Sequence, residues 1–335
     1  MLSNLKACYI LIMIISCKLN IAANFLGKLS WYLRKNEDNI MLELHKRAPL
    51  KNIVPCLTIF FAFLTLNSAL ADSNNHKLKR IVSIGGAVTE IVFALGQQDR
   101  LVARDSTSTY PAEATKLPDV GYMRSLSPEG VLSVNPELIL AEEGSGPKET
   151  INLLEKASIP FVIIPDAYSR EGIISKVVAV GAALGAQKQA KDLTDRLNLE
   201  LIAAEKKSSS YSGIRKKVLF ILSIRGGKIL ASGSNTAADS IIRMAGGINA
   251  ISEFSGYKPL SSESITVAAP DIILMMDQGG DHITDNDKLF AMPAISSTPA
   301  AKTKSVIRMN GLYLLGFGPR TAAAISDLHL TMYPE

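Results

Sequence analysis

Tyr110 is the residue of this sequence whose type and position most directly suggest contact with a ligand. It lies in the polar loop Asp105–Pro111, which follows the apolar segment 101–103, and that segment is expected to form a short strand. Open α/β sheets bind their ligands in loops at the C-terminal ends of strands. Tyr110 is therefore a candidate ligand-contact residue, and the alternative is an ordinary polar loop.

Other residue types that do chemistry are scarce in residues 72–335. The histidines there are His76, His282 and His329, far apart in the sequence, and all three cysteines lie within residues 1–71. A zinc or manganese site built mainly from histidine is therefore not expected, and neither is a cysteine nucleophile or a disulfide framework. The G-x-S-x-G, P-loop and G-x-G-x-x-G motifs are also absent, so nucleophilic hydrolysis and nucleotide binding lack their usual residues.

The charge of the chain is unevenly distributed. The 335 residues have a formal net charge of +5, but residues 1–71 hold eight of the 36 Lys and Arg residues and only three of the 31 acidic ones. Residues 72–335 are therefore neutral in sum, which argues against nucleic-acid binding because that needs a concentrated basic face. Hydrophobic residues make up 47% of the chain, a composition typical of a folded protein.

Residues 1–71 have the features of a secretory signal peptide. A basic stretch at 46–51 precedes the apolar run Ile53–Leu66, and residues 69–71 (ALA) form a small-x-small cleavage site. The run of about 14 residues is short of the roughly 20 that span a bilayer. An uncleaved membrane anchor is the alternative.

Two details refine this prediction. Met41 would start a signal peptide of ordinary length, so the true start codon is expected there. Cleavage after Ala71 would leave a polar leader, residues 72–78, ahead of the exported body. A lipoprotein is less consistent with the sequence, because Cys56 lies inside the apolar run and not after it.

From residue 79 onward, short apolar segments alternate with helical patterns. This alternation is typical of an α/β fold with parallel sheets, and it divides into a first lobe (about 79–169), a linking helix (about 170–207) and a second lobe (about 213–335). The expected strands are 80–84, 101–103, 138–141, 161–164, 217–222, 228–231 and 272–276, and the clearest helices are 87–95 and 237–245.

The linking segment 170–207 contains no proline and has apolar residues at helical spacing. This pattern predicts one long helix. If the helix is interrupted, the break is expected near Gly181 or Gly185. Two ordinary helices separated by a kink are the alternative.

An internal repeat relates the two lobes. LSPEGVLSVNPELIL at 126–140 and LSSESITVAAPDIIL at 260–274 align without a gap. In each copy a serine begins a helix whose first turn holds a glutamate, Glu129 or Glu263, where the helix dipole favours a carboxylate. The repeat therefore gives two equivalent carboxylates, and a helix cap used twice is the simpler explanation.

Several of these segments together resemble the haem-binding periplasmic proteins of bacterial haem ABC importers, within a wider group that binds cobalamin and iron-siderophores. The resemblance extends over residues 79–335 and rests on Arg80–Gly96, Asp105–Pro111, Gly121–Leu140 and Gly311–Thr321. It implies two Rossmann-like lobes with parallel sheets joined by one long backbone helix, the class III substrate-binding architecture, with haem in the cleft between the lobes.

The resemblance also implies roles for individual residues. Tyr110, in the S-T-Y-P motif, would be the axial ligand of the haem iron, and its oxygen suits ferric iron once the metal displaces the phenol proton. The histidine that some members add from the second lobe is absent from residues 223–227, so a second axial ligand is left open. The candidate partners of the haem propionates are Arg124, Arg225, Lys228 and Arg320.

The function that the resemblance implies is binding and not catalysis. The protein would capture haem in the periplasm, downstream of an outer-membrane haem receptor system, and deliver it to an inner-membrane ABC permease dimer with its ATPase. Glu129 and Glu263 would dock the protein, expected to be a monomer, on the two equivalent surfaces of that dimer. Cobalamin or a ferric siderophore is the alternative ligand, and an exported chelatase-like enzyme is the alternative from another class.

Overall fold

The structure is a computed structural model, and it describes residues 78–277 and 285–334. The expected signal peptide 1–71, nearly all of the polar leader, and the residues His76 and His282 lie outside the described residues. Among the helices that are described, none is long and apolar enough to span a bilayer.

Lobe 1 is built around a four-stranded sheet, sheet A. Its elements are β1 (Ile81–Ile84), α1 (Gly86–Ala94), β2 (Leu101–Arg104), α2 (Pro128–Leu132), β3 (Leu138–Glu142), α3 (Lys148–Lys156) and β4 (Phe161–Ile164), with 3₁₀ helices at Gln98–Arg100 and Ala112–Lys116. The strands lie in the order β2-β1-β3-β4, and all neighbours are parallel. The C-terminal ends of the four strands therefore lie along one edge of the sheet.

The linking segment consists of two helices, α4 (Arg170–Ala183) and α5 (Gln187–Ser209), and not of the single long helix expected from the sequence. The break falls at Gly185, whose φ of +65° lies in the left-handed region that favours glycine. α5 then packs against α4. The helices approach closely at Gly181, where an added Cβ would lie 2.3 Å from the Cβ of Ala190. The kinked alternative is therefore the one that the structure has.

Lobe 2 is built around a second sheet, sheet B. Its elements are β5 (Lys217–Arg225), β6 (Lys228–Ser232), α6 (Ala237–Met244), β7 (Ile248–Asn249), β8 (Tyr257–Leu260), α7 (Ser262–Ala268), β9 (Ile272–Met276), α8 (Asn286–Ala291), α9 (Pro293–Ser296), α10 (Pro299–Thr303), β10 (Val306–Met309), α11 (Gly311–Leu315) and α12 (Thr321–Met332). The strands lie in the order β10-β9-β5-β6-β8, and β7 pairs with β5.

Sheet B is mixed, which corrects the expectation of parallel strands in both lobes. β5, β9 and β10 are parallel, but β6 is antiparallel to both β5 and β8. Gly226 and Gly227, with φ of 54° and 76°, form a two-residue turn between β5 and β6. A turn of this length joins antiparallel strands, because parallel strands need a long crossover connection.

The hydrophobic core is continuous between the lobes. α4 packs against α1 and β4 of lobe 1, whereas α5 packs against α6 and α12 of lobe 2. One buried cluster extends through all of these elements, and its members include Ile81, Val88, Val177, Leu197, Phe220, Ile241 and Leu328. Smaller clusters cover the other face of each sheet. The linking helices therefore join the lobes by packing as well as by chain connection.

The two copies of the repeat occupy equivalent places in the two lobes. α2 and α7 begin at Ser127 and Ser261, whose hydroxyls accept the backbone N–H three residues on. Each helix leads to the strand that pairs in parallel with the first strand of its lobe, β3 with β1 and β9 with β5. The second acid of each copy, Glu137 or Asp271, accepts a backbone N–H where that first strand begins. The repeat thus fixes the same cap and the same strand pairing twice.

Candidate functional site

Tyr110 lies in the loop that leaves the C-terminal end of β2, at the edge of sheet A where the sequence places it. The residue is 43% exposed, and it belongs to the few large hydrophobic side chains that lobe 1 presents to solvent. This is the edge at which parallel α/β sheets bind ligands. The phenol is therefore accessible to a molecule lying beside sheet A.

Asp105 organises the loop that presents Tyr110. Its side chain is fully buried. One carboxylate oxygen accepts the Gly85 N–H at 3.0 Å and the Ser108 hydroxyl at 2.7 Å. The other accepts the Thr107 N–H at 3.0 Å and the Thr107 hydroxyl at 2.7 Å. A carboxylate with four donors fixes the backbone of the loop, since hydrogen bonds to a charged acceptor are stronger than neutral ones.

A chain of buried hydroxyl groups ties the same loop to the interior of lobe 1. The Ser83 and Thr89 hydroxyl oxygens lie 2.7 Å apart, and those of Thr89 and Ser108 lie 2.6 Å apart. Ser83 belongs to β1 and Thr89 to α1, so the loop is attached to both elements. Tyr110 is consequently presented from a rigid support.

Arg320 comes from lobe 2 and lies against the face of the Tyr110 ring. Its Cζ atom is 3.6 Å from the Tyr110 ring centroid and 5.1 Å from that of Tyr313, distances typical of cation–π contacts. Its guanidinium also donates twice to Glu90 of α1, from Nε at 3.0 Å and from Nη2 at 2.9 Å. Arg320 was predicted as a propionate partner, and the structure places it between two residues of lobe 1.

Glu90 is the buried partner of this arginine. Its side chain is only 6% exposed, and burial raises the pKa of its carboxyl, with the Arg320 guanidinium acting in the opposite direction. Removing either side chain would leave the other without its ion-pair partner. The contact between Glu90 and Arg320 therefore depends on both side chains being present.

Arg124, the next predicted propionate partner, is exposed, and its charge acts on two tyrosines from different lobes. Burial raises the pKa of Tyr257 of lobe 2, and the positive charge of Arg124 acts in the opposite direction. For Tyr168, burial and the neighbouring Asp166 carboxylate outweigh this effect and raise the pKa to about 12. Arg124 is thus a cation at the place where the two lobes face each other.

Arg225 and Lys228 lie together at the tip of the β5–β6 hairpin. The two residues pair across the Gly226-Gly227 turn, and both are exposed. Arg225 is the last residue of β5, so it lies at the C-terminal edge of the parallel part of sheet B. The four predicted propionate partners therefore lie at three places, with Arg320 at the ring of Tyr110, Arg124 in lobe 1 and this pair on the lobe 2 hairpin.

Glu129 and Glu263 occupy matching positions in the first turns of α2 and α7. Both residues are exposed. Neither carboxylate makes an ion pair or a side-chain hydrogen bond within the part of the chain that the structure describes. Each lobe therefore presents one solvated carboxylate at the start of an equivalent helix.

The sequence analysis missed Asp105 and Glu90. The available signal for Asp105 was its place as the first residue after a strand, followed by four Ser and Thr residues at 106–109. For Glu90 it was the presence of a single acid inside the apolar helical pattern 87–95. A lone acid on an apolar helix face indicates a buried partner elsewhere in the chain.

Comparison with known proteins agrees with this fold. A family profile described as "Periplasmic binding protein" matches residues 81–311. The structure is similar to that of the periplasmic heme-binding protein RhuT from Roseiflexus sp. RS-1 in its apo form, with a TM-score of 0.73 and 39% sequence identity over 76% of this chain and 98% of that one.

Sequence relatives extend the comparison. The uncharacterized ABC transporter substrate-binding lipoprotein YvrC of Bacillus subtilis (strain 168) is 28% identical over 262 residues, which are 77% of this chain and 81% of that protein. The vitamin B12-binding protein of Vibrio parahaemolyticus serotype O3:K6 (strain RIMD 2210633) is 23% identical over 281 residues, 81% of this chain and 93% of that protein.

These proteins bind substrates and are not enzymes, which removes the chelatase-like alternative. The two-lobed α/β architecture and the resemblance to haem-binding periplasmic proteins are both confirmed. With a matching profile over more than half of its length, the chain belongs to the periplasmic binding protein family.

Proposed function

We propose that this protein binds haem in the cleft between its lobes, with Tyr110 as the axial ligand of the ferric iron. The observation that supports this best is the setting of Tyr110, an exposed phenol on a loop that Asp105 fixes at the C-terminal edge of sheet A. Tyrosine is an established ligand of haem iron. A rigid support for the ligand lowers the ordering cost of binding.

The donor set favours porphyrin-bound iron over a bare metal ion. Within residues 78–277 and 285–334, no three His, Cys, Asp or Glu side chains come together as a metal site. A bare transition-metal ion needs several protein ligands at once. Haem iron is already held by the porphyrin nitrogens, so a single phenolate from the protein completes its axial coordination.

Cobalamin or a ferric siderophore is the second candidate, and the B12-binding relative is the observation that favours it. The haem-binding RhuT shares 39% of its residues with this chain, against 23% for that relative. An exposed tyrosine also has a specific use in binding ferric haem as an iron ligand. Haem is therefore the ligand that we propose.

Arg124 is the best placed of the predicted partners for a haem propionate. It lies near tyrosines of both lobes, and a guanidinium can bind a carboxylate through two parallel hydrogen bonds. Arg320 is less suited, because two of its donors already bind Glu90. Arg225 and Lys228 would reach a propionate from the lobe 2 hairpin.

The proposal includes a transport cycle. The signal peptide 1–71 would direct a monomer to the periplasm, where it receives haem that entered through an outer-membrane receptor. The loaded protein would dock on an ABC permease dimer with its ATPase, using Glu129 and Glu263 as one carboxylate per lobe. The relationship to an ABC transporter substrate-binding protein supports such a partner.

The test is a spectroscopic titration of the purified protein. Haemin is expected to give a saturable Soret band with the charge-transfer features of high-spin ferric iron bound by tyrosinate. Cyanocobalamin and a ferric siderophore are titrated in parallel under the same conditions. Saturable binding of either one without a haemin spectrum would contradict the proposal and select the second candidate.

A further inference from the structure

The segment Gly316–Arg320 belongs to lobe 2 by sequence, because it connects α11 to α12. Its side chains, however, pack on lobe 1. The ring of Phe317 is 99% buried and lies 5.3 Å from the ring of Tyr168, centroid to centroid. An added Cβ at Gly318 would meet the Cβ of Ala87 at 3.5 Å, an ordinary contact distance. The segment therefore packs on lobe 1, although it belongs to lobe 2 in the sequence.

Lys176 of α4 holds the beginning of this segment. Its side chain is fully buried and pairs with Glu142 at 2.5 Å and with Asp166 at 2.7 Å. The same Nζ also donates to the Gly316 carbonyl oxygen at 3.3 Å. An ammonium group has three donors, so these three acceptors from two lobes use all of them.

Glu90 holds the end of the segment through its paired hydrogen bonds to Arg320. The two attachments are also connected to each other. Glu142 packs against the turn that begins α1, where an added Cβ at Gly85 would lie only 2.5 Å from its Oε2, and α1 contains Glu90. Both ends of the segment are therefore attached to neighbouring parts of lobe 1.

We infer that Lys176 is a positioning residue that fastens the segment Gly316–Arg320 to lobe 1 and so holds Arg320 against the ring of Tyr110. A neutral donor at this place would leave the buried carboxylate of Glu142 and the partly buried one of Asp166 without a cation, which is unfavourable. A lysine meets both needs at once, since its ammonium donates to both Glu142 and Asp166 and has a donor left for lobe 2. The inference concerns the setting of the proposed iron ligand and is independent of haem.

The test uses ligand-free protein labelled with 3-fluorotyrosine and observed by ¹⁹F NMR. The Tyr110 resonance is assigned by its loss in Tyr110→Phe, and Arg320→Met gives its position when the cation is absent from the ring face. In Lys176→Met the chemical shift of the Tyr110 resonance is expected to change by at least half of the change seen in Arg320→Met. The matched control is Lys191→Met, which removes an exposed lysine that pairs with Asp195 on α5 and should leave the resonance in place.

A second variant separates positioning from charge balance. Lys176→Met combined with Glu142→Gln and Asp166→Asn removes the ammonium and both carboxylates together, and it is still expected to move the Tyr110 resonance because the donor to lobe 2 is lost. A Tyr110 resonance at the wild-type position in either folded variant would overturn the inference. Failure of both to fold, while Lys191→Met folds, would overturn it as well, because Lys176 would then be required for lobe 1 as a whole. Since haem is absent throughout, none of these results depends on the proposed ligand.

Discussion

The guanidinium of Arg320, from the last helical region of lobe 2, lies 3.6 Å from the centre of the Tyr110 ring in lobe 1. Glu90 holds the same arginine in place by accepting two of its donors, at 3.0 Å and 2.9 Å. The proposed iron ligand therefore sits at a junction of the two lobes, and its environment depends on residues more than 200 positions away in the sequence.

Tyr110→Phe is expected to abolish the tyrosinate charge-transfer band and to weaken haemin binding at least about tenfold, which is 1.4 kcal/mol. The change removes only the phenol oxygen, so the ring and its contact with Arg320 remain. Absorption spectroscopy and haemin titration measure both effects. The control is Tyr122→Phe, at a tyrosine of lobe 1 with a similar exposure of 48%. An unchanged spectrum in Tyr110→Phe, or an equal loss in the control, would refute the assignment.

Arg320→Met is expected to lower the free energy of unfolding by about 3–5 kcal/mol, because the Glu90 carboxylate would lose its buried partner. The double variant Glu90→Gln with Arg320→Met should recover most of this loss, since it leaves no unpaired buried charge. Urea denaturation of both variants checks the difference. If the double variant were as unstable as the single one, the ion pair would not be the reason for the loss.

Much of this site could be predicted from the sequence, for local reasons. The strand before Asp105, the exposed Tyr110 and the two serine caps of the repeat depend on patterns within a few residues, and such patterns persist in the fold. The strand 272–276 is found with the expected bounds. Local periodicity thus places the loop of Tyr110 at the C-terminal edge of sheet A.

What the sequence did not show depends on contacts between distant residues. The pairing of Glu90 with Arg320 spans 230 positions, and nothing near either residue indicates its partner. Gly185 alone does not decide between one long helix and two shorter ones, because glycine is tolerated inside helices as well as at their ends. Gly226-Gly227 is a two-residue turn signal that indicates an antiparallel β5–β6 pair. The alternation of strands and helices along the chain predicts parallel strands instead, and that prediction is wrong here.

Asp105→Asn is expected to lower the free energy of unfolding by about 2–3 kcal/mol and to weaken haemin binding, although Asp105 is buried beneath the loop. The amide nitrogen cannot accept, so two of the four donors lose their acceptor and the other two keep only a neutral one. Asp119→Asn is the matched control, because Asp119 forms an ion pair with Arg104 at 42% side-chain exposure and should cost at most about 1 kcal/mol. Equal effects on haemin binding in the two variants would show that the Asp105 network does not support Tyr110.

Glu90 also predicts a pH dependence of stability. Burial raises the pKa of its carboxyl above the ordinary 4.5, so the folded protein binds a proton more readily than the unfolded chain. The free energy of unfolding should therefore fall as the pH rises from 4.5 through the raised pKa. Urea denaturation at several pH values measures this slope, which should be flatter in Glu90→Gln. A slope that is identical in the variant would assign the pH dependence to other groups.

Glu129→Lys combined with Glu263→Lys is expected to abolish haem transport in vesicles that contain the permease and its ATPase, without changing the haem spectrum or affinity. The two carboxylates are exposed at equivalent helix starts, where a dimeric permease would offer two equivalent surfaces. Reversing both charges replaces attraction by repulsion at each surface, which lowers the rate of encounter most strongly at low salt.

The control for this double variant is Glu149→Lys, which reverses an exposed first-turn glutamate of α3 that lies outside the repeat. It loses the same favourable interaction with a helix dipole, about 0.3–1 kcal/mol, and so reports the effect of the cap alone. Each single variant should retain part of the transport rate, because one lobe can still dock. Transport by the double variant at the rate of Glu149→Lys would show that Glu129 and Glu263 act as helix-start charges and that the permease contacts another surface. Loss of transport in the double variant alone, most complete at low salt, would support docking of each lobe through its own carboxylate.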